Sequence, residues 1–166
     1  MVAPLPTEQL YFAYGSNMSW QQMQRRCPDA AFIWRATLED HTLAFTRDSP
    51  SRGCGVAVAV YRRFARLPGV LYSVSATDIA TLDRLEGYMP GVDAYRRVHK
   101  SVVLHEPPPT WPARVMAQTY VVANPVPHVP PSRSYRALIV QGAELRGLPA
   151  EHIAAIKNIV CAEDLR

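Results

Sequence analysis

Apolar runs of strand length recur through the first 123 residues, and this limits the fold more than any other feature. Leu10 to Tyr14, Ala30 to Trp34, Thr42 to Phe45, Val56 to Tyr61 and Val70 to Val74 are short and rich in aromatic and β-branched side chains. The turn-rich segments Asp48 to Gly55 and Leu67-Pro68-Gly69 break them. Two longer extended segments follow, Tyr95 to Leu104 and Val115 to Ala123, parted by Pro107-Pro108-Pro109. Many strands with helices inserted and appended predict an α+β fold, a small barrel-like sheet decorated by helices.

The helical signals are few and well punctuated. Ser19 with Gln22 three residues on forms a capping-box pattern that predicts a short helix through Arg26, ended by Cys27-Pro28. A helix is predicted from about Thr77 to Glu86, closed by Gly87. In the last third Tyr135, Leu138, Ile139 and Gly142 share a face, and Gly147 ends that run. Pro149 is placed to begin another helix, continued by Ile153, Ile156, Ile159 and Val160. With no internal repeat and no long linker, one domain is expected over residues 1–166, its core about 10–160.

Composition narrows the class of function. At 166 residues, 48% apolar and 19% charged, the chain can bury about two-thirds of its surface as a globular domain. No apolar run approaches the roughly 20 residues of a membrane span, and Met1 to Pro6 has neither the basic start nor the apolar stretch of a signal peptide. A cytoplasmic protein without a membrane partner is expected. Cys27, Cys54 and Cys161 have no C-x-x-C spacing and read as free thiols, and the five histidines show no ligand spacing, so no metal is implied. The net charge of +4 comes from scattered pairs such as Arg25-Arg26, Arg62-Arg63 and Arg96-Arg97, which read as general surface basicity rather than a nucleic-acid site.

Two places carry chemistry. Tyr14-Gly15-Ser16-Asn17-Met18-Ser19 comes directly off the first apolar run and opens a helix, a junction whose backbone N–H groups are free to hold an anion. In the helix ending at Glu86, Ile79, Leu82 and Leu85 define the buried stripe, and Glu86 lies inside it. Burial and the negative end of the helix dipole should both raise the pKa of that carboxyl, which suits a general base near neutral pH. An ion pair with Arg84, Arg96 or Arg97 is the alternative that the pattern leaves open. Asp83, on the border of the face, and Asp78, a first-turn residue, are weaker candidates.

Together the Tyr14 to Asn17 turn and the helix end Leu82-Asp83-Arg84-Leu85-Glu86-Gly87 resemble the γ-glutamylcyclotransferase family. Pro130-Pro131-Ser132-Arg133-Ser134-Tyr135, then Gln141-Gly142-Ala143 and Gly147-Leu148-Pro149, resemble that family's C-terminal pattern. Ala44 to Arg47 with Gly53 and Gly55, and Thr119 to Asn124, are similar to further segments of bacterial members. The likeness runs from about Leu10 to Ile159 with its pieces in order.

The resemblance implies a small mixed β-barrel with flanking and C-terminal helices, acting as a cytoplasmic monomer or homodimer with no cofactor. It implies a cyclotransferase, a place in glutathione metabolism, and release of 5-oxoproline from a γ-glutamyl amino acid or amine. Glu86 matches the family's catalytic glutamate, and Tyr11, Phe12, Ala13, Tyr14, Gly15, Ser16 and Asn17 match its substrate loop. Asn124 and Tyr135 are candidates to complete the pocket, although Tyr135 at helical spacing with Leu138 and Ile139 is equally suited to core packing. The stretch Tyr88 to Asp93 is longer than in some members, and Asp48 to Gly55 replaces a segment with more glycines. Both should border the site and bear on the substrate. Two alternatives remain: a tailoring enzyme that removes a γ-glutamyl protecting group from a biosynthetic intermediate, and a non-catalytic module that keeps only the pocket.

Overall fold

The backbone closes five strands into a barrel with helices packed around it. The computed structural model describes residues 2–6, 9–89, 92–93 and 95–166. Strand β1 (Leu10–Ala13) is antiparallel to β3 (Cys54–Ser73) and meets β7 (Arg114–Val122) in parallel through Tyr11 and Gln118, which completes the ring. Strand β2 (Ala31–Ser49) joins β3 to β6 (Tyr95–Leu104), and β6 pairs with β7 along nine residue pairs. Just before β6 lies a small hairpin, β4 (Tyr88–Met89) with β5 (Val92–Asp93).

The expected α+β barrel is therefore present, but its strands are longer than the apolar runs suggest. Ala30 to Trp34 and Thr42 to Phe45 belong to one strand of 19 residues, and Val56 to Tyr61 and Val70 to Val74 to one of 20. Both bend where the apolar pattern stops. Asp40 and Phe64 take positive φ values of 55° and 67°, and the Asp40 carboxylate accepts the Phe64 N–H at 2.8 Å. The segment Leu67-Pro68-Gly69, expected as a turn, lies inside β3 opposite Leu38, Thr37 and Ala36. Gly69 is needed there for closeness, because a Cβ would sit 2.5 Å from the Ala13 carbonyl oxygen and 2.6 Å from the Phe12 ring.

Among the described residues four α-helices surround the ring: α1 (Trp20–Arg26), α2 (Ala76–Leu85), α3 (Arg133–Leu145) and α4 (Ala150–Lys157). Helix α2 begins with a complete capping box, in which Ser75 accepts the Asp78 N–H and Asp78 accepts that of Ser75. Helix α4 starts one residue later than expected, with Pro149 as its N-cap, and stops at Lys157 before Ile159 and Val160. The core joins Phe12, Leu71, Tyr72 and Val102 of the barrel to Met18, Met23, Leu82, Ile139 and Ile156 of the turn and helices. Cys27, Cys54 and Cys161 are buried free thiols. No described helix is long and apolar enough to cross a membrane.

Candidate active site

The first apolar run ends as the sequence suggests, though by a tighter route. A 3-10 turn (Ser16–Met18) intervenes between β1 and α1, and Ser19 then caps α1 by accepting the Gln22 N–H. The second half of the expected capping box is not made. The Gln22 amide instead donates from Nε2 to Ser16 Oγ and to Asn17 Oδ1, both at 2.9 Å. Asn17 Oδ1 also accepts from Arg26 at 3.0 Å, Asn17 Nδ2 donates to Tyr11 Oη at 3.0 Å, and Tyr72 Oη donates to the Asn17 carbonyl at 2.8 Å. The turn is thus clamped through its side chains and its carbonyl. The first N–H groups of such a turn have no acceptor within it and remain available to a ligand.

Two glycines let the turn sit this deep. A Cβ on Gly142 of α3 would lie 2.4 Å from the Met18 carbonyl carbon, and one on Gly15 would lie 3.1 Å from Ala57 Cβ. Helix α3 and strand β3 therefore press directly on the turn from two sides.

Glu86 closes the other wall. It is the C-cap of α2 rather than its last residue: its N–H donates to the Leu82 carbonyl at 2.8 Å, and its own carbonyl accepts from Tyr95 N at 3.3 Å. Gly87 follows with φ 70°, the left-handed residue that ends the helix. Ile79 and Leu82 form the buried stripe as expected, but Leu85 is 46% exposed, so the stripe ends one turn early. Glu86 as a residue is half-buried, with its carboxyl group surrounded by protein at the wall of the cavity. Burial raises its pKa above the ordinary carboxylate value, against the opposing pull of Arg26, Arg47 and Arg52.

The ion pair that would have explained Glu86 away is made by its neighbour. Arg97 donates to the Asp83 carboxylate at 2.9 Å, and Tyr120 Oη donates to the same group at 2.7 Å. Among the described residues no cation lies within ion-pair distance of Glu86.

Between turn and carboxylate lies a cavity of about 140 Å³. The turn contributes Tyr14, Gly15, Ser16 and Asn17, and Tyr11 precedes them on β1. Glu86 and Leu85 come from the end of α2, and Tyr95, Tyr120 and Tyr135 add aromatic walls. Phe12 and Ala13 do not line it: both are buried in the core, where the Phe12 ring and the Ala13 carbonyl pack against Gly69. Asn124, beyond the end of β7, does not line it either. Of the stretch Tyr88 to Asp93, Pro90 and Gly91 lie outside the described residues.

Tyr135 both lines the cavity and packs in the core. It is a buried member of the α3 face, and its hydroxyl accepts the Ala57 N–H at 3.0 Å while Tyr95 Oη donates to the Ala57 carbonyl at 2.6 Å. The reason lies in the β2–β3 register, which slips between Ala44 and Arg47 and leaves Ala57 without a ladder partner. Two tyrosine hydroxyls replace the missing strand.

The residues that sequence reasoning missed are mainly arginines. Arg26, Arg47 and Arg52 line the cavity with Ser49 and Ser51, although the basic residues had read as surface charge. Arg52 donates to Gln22 Oε1 at 3.0 Å and lies 4.8 Å over the Tyr135 ring; Arg47 lies 4.6 Å over the Tyr95 ring. Of these arginines only Arg52 falls in Asp48 to Gly55, the segment that departs from the resembled pattern, whereas Arg47 ends Ala44 to Arg47, which is similar to it.

An α+β barrel holding an enclosed carboxylate opposite a clamped polar turn defines a small-molecule site. The AIG2-like family model matches residues 66–156. Human gamma-glutamylcyclotransferase is 30% identical over 154 residues, covering 90% of this chain and 78% of its own length, and the bovine protein of that name is 29% identical with the same coverage. A solved structure of a gamma-glutamyl cyclotransferase superposes with a TM-score of 0.83 at 28% identity, covering 93% of this chain and 89% of the other. The chain belongs to the AIG2-like, gamma-glutamylcyclotransferase family.

Proposed function

We propose that the protein is a cyclotransferase that releases 5-oxoproline from a γ-glutamyl amino acid or γ-glutamyl amine. The observation that carries this reading is the Glu86 carboxyl, enclosed without an ion-pair partner among the described residues and facing the turn across a cavity of small-molecule size. The substrate's α-amine attacks its own γ-carbonyl, a five-membered lactam closes, and the amide nitrogen leaves as an amine. A tethered nucleophile of this kind reaches effective molarities of about 10⁵–10⁸ M when held in reactive geometry, so much of the task is to fold the glutamyl chain.

The α-amine arrives as an ammonium and cannot attack until it loses a proton. Glu86 takes a proton from the attacking nitrogen and returns one to the departing nitrogen, which its raised pKa favours near neutral pH. The N–H groups of Gly15, Ser16 and Asn17 serve an anion of the substrate, either the tetrahedral oxyanion or the α-carboxylate. Tyr135 holds the cavity wall through Ala57 and presents its ring to the substrate. All of these steps use groups of this chain.

The test is Glu86→Gln assayed with γ-glutamyl dipeptides and γ-glutamyl amines, following 5-oxoproline. Loss of a general acid–base group should lower kcat by about 10²–10⁴-fold. A folded variant that keeps its rate within a few-fold would remove Glu86 from the mechanism.

A further inference from the structure

The cavity carries more positive charge than the glutamyl group needs. Three guanidinium groups, Arg26, Arg47 and Arg52, face one carboxylate, Glu86. A γ-glutamyl head is itself a zwitterion whose ammonium and carboxylate balance. Even with Glu86 ionised, two cationic charges remain without a counter-charge in the cavity.

The arginines are not equivalent. Arg26 belongs to α1 and is tied to the turn by its hydrogen bond to Asn17. Arg47 and Arg52 come from one short piece of chain, the end of β2 and the bend that follows it, which also supplies Ser49 and Ser51 to the lining. Arg52 donates to Gln22 and Ser16, so part of its fork is engaged. The Arg47 guanidinium donates no hydrogen bond to any described residue; only the face of Tyr95 positions it. A guanidinium stacked on a ring keeps its whole N–H fork for a ligand, and that fork matches a carboxylate in bidentate geometry.

We infer that Arg47, supported by Arg52, is a specificity-determining residue that receives a carboxylate carried by the departing amine, so that amines bearing an anion leave in preference to neutral ones. This rests on the reaction proposed above and names the part of the substrate that the 47–52 segment recognises. The placement agrees with the division of the cavity. The turn and Glu86 come from β1, the 3-10 turn and α2, whereas the cationic wall comes from the β2–β3 ribbon.

The experiment compares γ-glutamyl-alanine with γ-glutamyl-ethylamine, which differs only by a hydrogen in place of the leaving group's carboxyl, in the wild type, Arg47→Gln and Arg47→Lys. Far-UV circular dichroism and thermal unfolding establish that each variant is folded. The wild type should favour γ-glutamyl-alanine in kcat/KM by about 10–100-fold, as expected for a charge-assisted hydrogen-bonded pair. Arg47→Gln should collapse that ratio to within about threefold, mainly through KM for the charged substrate, and Arg47→Lys should restore part of it. Two results would overturn the inference: a wild-type ratio near one, or an equal loss on both substrates that leaves the ratio intact. The second would place Arg47 on the α-carboxylate, or make it a neutraliser of Glu86, and in the latter case the acidic limb of the pH profile would also move for both substrates. If neither substrate yields 5-oxoproline, the reaction assignment itself fails and the inference with it, a result that the ratio test cannot mimic.

Discussion

Gly142→Ala adds a single methyl group to the last turn of α3, where the structure defines what that methyl would strike. Its Cβ would stand 2.4 Å from the carbonyl carbon of Met18 and 2.5 Å from the carbonyl oxygen. Ordinary contact begins near 3.4 Å, so helix and turn must separate by about 1.0 Å, the difference between the two distances. The obstacle is backbone, which cannot swing aside as the end of a flexible side chain would. Overpacking of this kind costs about 1–3 kcal/mol, and the better helix propensity of alanine offsets roughly 0.5–1 kcal/mol of it. A net loss of up to roughly 2.5 kcal/mol remains, which for a chain of this length lowers Tm by up to roughly 10 °C.

The functional loss should be larger than the stability loss. The displaced segment carries the Ser16 and Asn17 N–H groups, and an error of about 1 Å in a positioned group can reduce rate by about 10²-fold. The assay is paired: kcat for 5-oxoproline release under saturating substrate, and thermal unfolding of the same preparation. A variant with unchanged kcat and a Tm raised by the propensity gain would refute the claim that Gly142 seats the turn. A lowered Tm with unchanged kcat would separate packing from the site and refute the role given to the turn.

The remaining predictions concern Glu86 and the bulge. Because burial raises its folded-state pKa, the native protein binds more protons than the unfolded chain between the ordinary value of 4.5 and the raised one, so Glu86 makes stability fall as pH rises through that window. Glu86→Gln should therefore unfold at a higher temperature than the wild type near neutral pH, with the difference shrinking below pH 4.5; thermal melts across pH check this, and a variant less stable than the wild type at neutral pH would contradict it. The acidic limb of kcat should for the same reason fall above the ordinary carboxylate range, read from a pH–rate profile. Tyr135→Phe removes the acceptor of the Ala57 N–H at the bulge and should destabilise the fold by about 1–3 kcal/mol, measured by denaturant unfolding; a loss below about 0.5 kcal/mol would mean that another group satisfies that donor.

Much of this molecule was legible in local pattern. The strand and helix types followed from periodicity, the Ser19 and Gly87 boundaries from cap chemistry, and the prominence of Glu86 from its place in an apolar stripe. These signals are local because they depend on residues a few positions apart. Where a signal was local but ambiguous, the reading slipped. Leu67-Pro68-Gly69 reads as a turn by composition, yet Gly69 is small because Phe12 and Ala13, remote in the chain, crowd it.

By itself, then, the sequence determined an α+β chain, its order of elements, and two chemically loaded positions, the Tyr14 to Asn17 turn and Glu86. Only the tertiary structure decided which charges those positions meet. Arg97, near in sequence, turns to Asp83, while Arg26 of α1 and the pair Arg47 and Arg52, all remote from Glu86 in the chain, line the cavity with it. The physical reason is that burial, and the electrostatics that follow from it, belong to the packed arrangement of a barrel and its helices, and no spacing along one segment records which remote side chains share a cavity.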